Sequence, residues 1–533
     1  NMTNVIDCVV VGFYEIPVGG LITASQKTHK YNGTYRHYLA NTLDISGDRI
    51  TYPEFLNHVI TSATGESRGL HVSRMPNLGA CYLTSYLRKR SFQAEHVNFF
   101  NQDRERLKQL LAQNPKSVAI TTTFYVDHQP IRALVDFIRQ YNQDTKIIVG
   151  GPHVFNVIND YDIAAQDMLL SLMGADIFIF SSEGELTLSR VCAALQKPEP
   201  DFSSIPNLII SDKDGKLCHT KIETENNNLD ENVIDWRGFN KELLVPTVQT
   251  RTARSCAFQC SFCRYPYNAG ELVHIDLGLV EKECDYLHSI GVSQLLFIDD
   301  TFNIPLDRFK ALCRMLIKNK YNFNWFSYFR CANADEEAFD LMAEAGCTGV
   351  FLGIESGSHP VLKAMNKGAD PEKYRHGIQS LNDRGIITFC SLVVGFPGET
   401  EETVRETFDF VRETKPSYYC LELFFCDLKA PIGKKSAEYG LKGAAYNWKH
   451  NTMDWKRATE LVEEGYRTIK ESVILPLYSF DLWSIAYLMG KGMEKEKIRE
   501  FLKISSEILV RGFTESNFDI TDQEQRAVSI FKK

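Results

Sequence analysis

Short apolar runs alternate along this chain with longer amphipathic stretches, and the spacing of those runs predicts most of its elements. Residues 5–13 form a compact apolar run that ends in glycine and turn residues, as a buried parallel strand does. After an interruption at residues 14–75 the alternation becomes regular. It predicts helices at 78–90, 103–113, 129–141 and 183–195, and strands at 94–99, 117–123, 146–149 and 177–180. Strands alternating with helices imply a doubly wound sheet that takes its ligand beyond the carboxyl ends of the strands. The residues expected at that edge are Thr121, Thr122 and Thr123, then Gly150, Gly151, Pro152 and His153, then Ser181, Ser182, Glu183, Gly184 and Glu185. Glycines there permit close backbone approach to a large ligand, and hydroxyls with a helix N-terminus supply hydrogen bonds. No GxGxxG is present, so a dinucleotide is disfavoured.

The interruption opens at Gly19-Gly20 and is polar, dotted with Tyr31, Tyr35, Tyr38 and Tyr52, and gains periodicity only at 52–60. It reads either as a surface insertion or as a flap, because long loops without strong periodicity are usually functional. Its tyrosines, with Arg36 and His37 between them, offer aromatic surface and hydrogen-bonding groups suited to covering a substrate. Residues 19–60 are therefore expected to fold toward the domain interface and shield the reaction there from solvent, with Tyr52 a candidate catalytic side chain.

Residues 201–244 read as a connector containing a hairpin, 205–211 and 216–220 around Asp212-Lys213-Asp214-Gly215, and a polar, exposed stretch at 223–235. A second α/β run follows at 245–430. Strands are expected at 245–250, 295–298, 324–328, 348–354, 387–394 and 419–425, and helices at 306–319, 336–344, 371–384 and 402–413. This is a (β/α)6 partial barrel with polar residues concentrated just after its strands, where barrel sites lie. Residues 431–533, with helices at 455–470, 481–487 and 494–510, form a small helical C-terminal domain.

Composition narrows the class. A chain of 533 residues exceeds one ordinary core. A net charge of -9 argues against a nucleic-acid backbone as partner, and no basic tail or RNA-binding appendage is evident. The 14 cysteines are scattered singly apart from one cluster, which is no disulfide framework and suits a reducing cytoplasm. Asn1 ahead of Met2 reads as an added residue, the following segment shows no signal-peptide pattern, and no long uncharged apolar run suggests a membrane span.

The cluster is Cys256, Cys260 and Cys263, in a loop following the first barrel strand. Soft thiolates select zinc, copper or iron-sulfur centres. A structural zinc site normally needs a fourth protein ligand, and no second cysteine pair follows. A [4Fe-4S] cluster held by three thiolates leaves one iron free. Three buried core cysteines, zinc and a cluster all remain open on the residues alone.

The CxxxCxxC spacing, with Phe262 before the last cysteine, resembles the signature of the radical S-adenosylmethionine (SAM) enzymes. The resemblance extends to Asp299-Asp300, to Gly353-Ile354-Glu355-Ser356-Gly357 and to Val394-Gly395-Phe396-Pro397-Gly398. It implies that the free iron chelates the amino and carboxylate groups of SAM, and that an external donor such as flavodoxin or ferredoxin supplies the electron that yields a 5'-deoxyadenosyl radical. It assigns Glu355 to the SAM ribose or amino group, Arg330 to its carboxylate, Phe262 and Val394 to adenine, and Asp300, Ser391 and Gly395 to the rest of the SAM site. The family's Gly-Gly-Glu phrase is not evident, and Asp299 or Asp300 is expected to stand in for it. Cys420 and Cys426, at the last barrel strand, read as core cysteines or as hydrogen-atom donors to a substrate radical.

The first α/β segment resembles the cobalamin-binding domain found ahead of many radical SAM enzymes. The phrases are Pro76 to Lys89, Val149-Gly150-Gly151-Pro152-His153 and Ser182-Glu183-Gly184-Glu185. The DxHxxG signature is absent, and His128 after Asp127 lacks the spacing. This implies base-off cobalamin without a histidine ligand, lined by Thr121, Thr122, Gly150, Gly151, His153, Ser182, Glu183 and Gly184. Together the resemblances imply a cobalamin-dependent radical SAM methyltransferase, acting on an unactivated carbon or on phosphorus of a small metabolite or a peptide. The alternatives are a cyclase, ring-contraction, oxidation or epimerisation enzyme using the same cofactors, and a non-catalytic cobalamin or iron-sulfur sensor.

Overall fold

The structure, a computed structural model, describes residues 5–19, 22, 32–478 and 480–532. Gly20 and Tyr31 of the expected flap lie outside these. The chain divides into two compact units: the chain through Ile16 with Ser73–Leu244, and Pro17–Val72 with Val245–Lys533.

The first unit is built on a seven-stranded sheet. Strands β1 (Cys8–Phe13), β2 (Ala94–Phe99), β3 (Ser117–Thr121), β4 (Lys146–Gly150) and β5 (Ile177–Ile179) are parallel and lie in the order β2-β1-β3-β4-β5. Alternation along β1 sends Val9 and Val11 into one apolar layer and Cys8 and Val10 into the other. Both faces are covered, as a parallel sheet requires. Because β1 pairs with β2 on one side and β3 on the other, the strand order reverses there and opens a crevice beyond their carboxyl ends.

Three expectations change in this unit. The hairpin continues the sheet as antiparallel β6 (Leu208–Ser211) and β7 (Leu217–His219), so residues 201–244 are part of the unit, not a connector. Helices Pro152–Asp160 and Ile163–Met173 were not anticipated, although a proline at the first helical turn and the Asp162 cap mark them. The stretch 223–235 is not uniformly exposed: Glu225, Asn227 and Asn232 are buried. Helix Glu185–Leu195 begins at Gly184, which has no side chain to cap it, and the Glu225 carboxylate accepts from the backbone N–H groups of Leu186 (3.1 Å) and Thr187 (2.9 Å) instead.

The second unit carries β8 (Thr247–Thr250), β9 (Gln294–Phe297), β10 (Asn324–Tyr328), β11 (Cys347–Glu355), β12 (Ile387–Val394), β13 (Tyr418–Leu423) and β14 (Val473–Ile474), all parallel and in sequential order. Helices such as Leu306–Asn319, Pro371–Asp383 and Glu401–Thr414 connect them, giving an open (β/α) partial barrel. The seventh strand, β14, comes from the segment expected to stand apart, so the C-terminal helical region is joined to this sheet.

The insertion also belongs here and not to the sheet it interrupts. Helix Tyr52–Thr64 starts at a Thr51/Glu54 capping box and buries Tyr52, Phe55, Leu56, Val59 and Ile60. Such a face needs an apolar partner, and the C-terminal helices supply one. Phe55 meets Phe501 with ring centroids 5.6 Å apart, and His58 reaches Glu524 at 2.8 Å. No helix among the described residues is long and apolar enough to cross a membrane.

The Glu225 cap generates a stability prediction. Glu225→Ala leaves two N–H groups unpaired in the first unit and should lower stability by about 2 kcal/mol. Urea unfolding followed by circular dichroism reads this, and an unchanged midpoint would show that the cap is dispensable.

Candidate functional site

The three-cysteine loop leaves the barrel at the end of β8, and a buried carboxylate fixes its base. Asp299, just beyond β9, accepts from the N–H groups of Thr252 (2.6 Å) and Ala253 (3.2 Å). Burial pushes its carboxyl up while the Thr252 hydrogen bonds oppose that. Arg308 donates to the Thr252 hydroxyl at 3.0 Å and to the Ile275 carbonyl at 2.7 Å. A two-residue ladder between Ala253–Arg254 and Val273–His274 closes the neck of the loop.

Within the loop, Ser261 donates its N–H to Met365 O at 2.8 Å and its hydroxyl to Ala364 O at 2.9 Å, while Ile432 N–H donates to Ser261 O at 2.8 Å. Cys260 is buried, and Cys256 and Cys263 are half-buried. Burial raises the Cys256 and Cys263 thiols, so a positive centre is needed to hold them as thiolates. Among the described residues no three His, Cys, Asp or Glu side chains converge on a single ion position. Thiolates around one zinc ion lie about 3.8 Å apart, as bond lengths near 2.3 Å require, whereas cluster thiolates each grip their own iron. Three thiols presented from one short loop are the donor set such a cluster takes.

Both aromatics of the loop lie under cations. The Arg330 guanidinium sits 3.5 Å from the Phe258 ring centroid, and Lys367 Nζ 5.7 Å from that of Phe262. Arg330 also donates to Asn333 Oδ1 (3.1 Å) and Lys367 O (2.5 Å). Lys367 in turn donates to Glu355 Oε1 at 3.3 Å. Glu355 adopts a left-handed backbone (φ 66°) beyond a register shift between β11 and β12, which re-aims it at the strand end. Phe258 and Lys367 escaped the sequence reading; Lys367 lies on no strand end and is brought in by the turn after helix His359–Ala364. Asp300 is open at its surface yet ringed by protein, and that burial, with Asp299 beside it, pushes its carboxyl up to about 6.

Other expected residues take supporting roles. Gly395 has φ 97°, and a Cβ there would lie 2.3 Å from the Trp448 ring; its N–H donates to Glu399 Oε1 at 2.7 Å. It admits the C-terminal region against the end of β12. Val394 is buried beside it, and Phe262 meets Phe396 edge-on at 6.5 Å. The Cys420 thiol donates to Ser391 Oγ, and the Cys426 thiol to Gly443 O, each at 3.7 Å. Both cysteines are buried, and burial raises both thiols. Tyr52 is fully buried, 6.1 Å from the Phe480 ring, its hydroxyl without a hydrogen bond, so it is a core residue of the helical layer, not an open catalytic group.

In the first unit the expected edge residues bind one another. Thr121 Oγ1 donates to Gly12 O and Thr122 Oγ1 to Gly150 O, both at 2.9 Å, and His153 N–H donates to Thr122 Oγ1 at 3.1 Å. They lock the ends of β1, β3 and β4 together beside the crevice. Gly151, at the start of helix Pro152–Asp160, shares that turn. Burial lowers the His153 imidazole, against the opposing charge of Asp127. Ser181 Oγ accepts from Glu183 and Gly184 N–H at 3.2 Å, the Glu183 carboxylate accepts from Asn227, and Ser182 is exposed. The sequence reading missed the apolar rim: Phe124 and Val126, just beyond β3, are 63% and 87% exposed. Apolar side chains in a strand-end loop were the available signal, and they suit the edge of a large, partly apolar ligand.

Comparison with known proteins agrees with this division. The family described as B12 binding domain matches residues 71–186, and the Radical SAM superfamily matches residues 250–411. The chain is 25% identical over 356 residues to an uncharacterized methyltransferase of Pyrococcus horikoshii, covering 64% of this chain and 74% of that one. It is 24% identical over 392 residues to the anaerobic magnesium-protoporphyrin IX monomethyl ester cyclase of Rubrivivax gelatinosus, covering 68% and 67%. Its fold resembles that of the radical SAM methyltransferase TsrM from Kitasatospora setae, with TM-score 0.55, 21% identity and 68% and 72% of the two chains covered. This chain belongs to the radical SAM enzymes that carry a B12-binding domain. Its two domains are those that bind cobalamin and, respectively, a [4Fe-4S] cluster with SAM.

Anaerobic reconstitution should give about four irons per chain, and replacing Cys256, Cys260 and Cys263 together by alanine should abolish iron and sulfide binding. Stoichiometric zinc without iron-sulfur absorbance would sink the cluster assignment.

Proposed function

We propose that the chain is a cobalamin-dependent methyltransferase that moves a methyl group from SAM to an unactivated carbon, or phosphorus, of a small molecule or peptide. The observation that carries this reading is the joining in one chain of a pinned three-thiol loop and a B12-binding sheet. The methyltransferase names of the Pyrococcus horikoshii relative and of TsrM support it. When bound, cobalamin supplies a methyl carrier, and the cluster with SAM supplies a radical initiator. The protein's own part is positional. Asp299 and Arg308 set the neck of the loop, Arg330 and Lys367 brace its two aromatics, and Glu355 presents a carboxylate at the end of β11. Phe124 and Val126 offer apolar surface beside the crevice of the first unit. A cytoplasmic setting and an external flavodoxin or ferredoxin donor complete the reading. A second reading, cyclisation or oxidation with the same cofactors, is favoured by the likeness to the Rubrivivax cyclase over 68% of this chain.

Products separate the two. The cofactor-loaded chain, given methyl-labelled SAM, a reductant and a metabolite extract, should form S-adenosylhomocysteine together with 5'-deoxyadenosine and a labelled product. Deoxyadenosine without S-adenosylhomocysteine or label would leave the second reading in its place. Bound cob(II)alamin should lack nitrogen hyperfine coupling from a protein base. Strong coupling that vanishes in His128→Ala or His153→Ala would assign a histidine to cobalt.

A further inference from the structure

Beside the last full barrel strand lies a group of titratable side chains that the cofactor sites leave unused. Leu421 and Leu423 on β13 line a small cleft of about 10 Å³ together with Arg36, His37, Val462 and Glu463. Strand alternation therefore sends Cys420 and Glu422 to the opposite face, where Cys420 meets Ser391 of β12. His37 reaches round the strand end, placing Nδ1 3.7 Å from Glu422 Oε2, and the two side chains are 15% and 16% exposed. Its Nε2 lies 3.3 Å from the Tyr446 hydroxyl, and the two rings stack at 4.3 Å. Helix Gly33–Leu39 comes this close because Gly33 has no side chain; a Cβ there would lie 1.8 Å from Tyr446 O.

Glu422 Oε1 is buried without a hydrogen-bond partner. Burial alone pushes the carboxyl up to about 7, and burial holds His37 neutral, down at about 4. The nearby arginine, Arg36, pairs with Glu463 instead. An orphaned buried acceptor is unfavourable, and an ammonium group, with three donors and a positive charge, is its natural complement. Tyr446 meets Phe425 edge-on at 5.2 Å, and Phe425 is 52% exposed. These make an apolar shelf beside the acceptor. The same segment runs on to the cluster loop, where Asp427 pairs with Arg264 at 3.2 Å and Ile432 bonds Ser261.

We propose that Glu422, His37 and Tyr446 form a subsite that anchors a protonated amine carried on an apolar body, and that the substrate is an amine of this kind. The assignment of substrate class rests on the enzyme reading above. The binding itself does not.

The test uses the full chain loaded with cluster and cobalamin, with phenethylammonium as probe and 2-phenylethanol as its neutral counterpart, both followed by titration calorimetry. Ionised Glu422 is the binding form, so affinity should rise about tenfold from pH 6 to pH 8 while the amine stays protonated. His37 is neutral throughout that range, and Cys420, Tyr446 and Tyr466, the other titratable groups around Glu422, are pushed up by burial and stay uncharged. Glu422→Gln should weaken amine binding at least tenfold at pH 8 and flatten the pH profile, with iron content unchanged. Should that variant fail to fold, the wild-type pH profile and the preference over 2-phenylethanol decide alone. No amine binding, a flat wild-type profile, equal binding of the alcohol or equal binding by a folded Glu422→Gln each overturns the proposal. Methyl transfer without amine binding would sink this inference alone, whereas amine binding without methyl transfer would sink the methyltransferase reading and the substrate assignment that rests on it, and would leave the amine subsite standing.

Discussion

The burial of one carboxylate, Asp299, governs the arrangement of the barrel site. Its oxygens accept the backbone N–H groups of Thr252 and Ala253, so the point at which the three-cysteine loop departs from β8 is set by the end of β9. A loop holding three thiols near one another opposes its own conformational entropy, and burial raises two of the thiols further. Fixing the neck removes much of that freedom before any cofactor binds. The remaining contacts follow the same logic: Ser261 is tied to the end of helix His359–Ala364, and Phe258 and Phe262 are each braced by a cation.

Around this centre the chain resolves problems of polar burial by bringing in distant segments. Glu225 caps a helix that starts forty residues earlier on a glycine, since Gly184 carries nothing to accept the N–H groups beyond it. Gly395 lets Trp448 approach the end of β12, which anchors the C-terminal region on the barrel. Several buried polar atoms receive no such partner, the Tyr52 hydroxyl and Glu422 Oε1 among them, and Glu422 Oε1 lies at a strand end.

The insertion shows how burial overrides chain order. Residues 52–60 already display the apolar periodicity of a helix, and the helix forms where that periodicity lies. Its partner cannot be read locally, because Phe501 and Glu524 lie more than four hundred residues away along the chain. Interrupting one α/β segment therefore says nothing about which core an insertion completes.

What the sequence by itself determined was local and periodic. Apolar alternation placed β2, β10 and β12 and helices Gln129–Tyr141, Leu306–Asn319 and Glu336–Glu344 at their observed bounds, because hydrophobic period and capping act within a few residues. The spacing of Cys256, Cys260 and Cys263 carried the cluster chemistry for the same reason: three soft ligands within one loop are near one another in any fold. Only the tertiary structure decided the rest. It joined 17–72 to the barrel unit, extended the first sheet through 208–219, buried Glu225, set Tyr52 in a core, paired Lys367 with Glu355 and drew His37 to Glu422 and Tyr446. Each of these depends on contacts between residues remote in the chain, where the burial that selects a partner acts through space and leaves no periodic trace in the sequence.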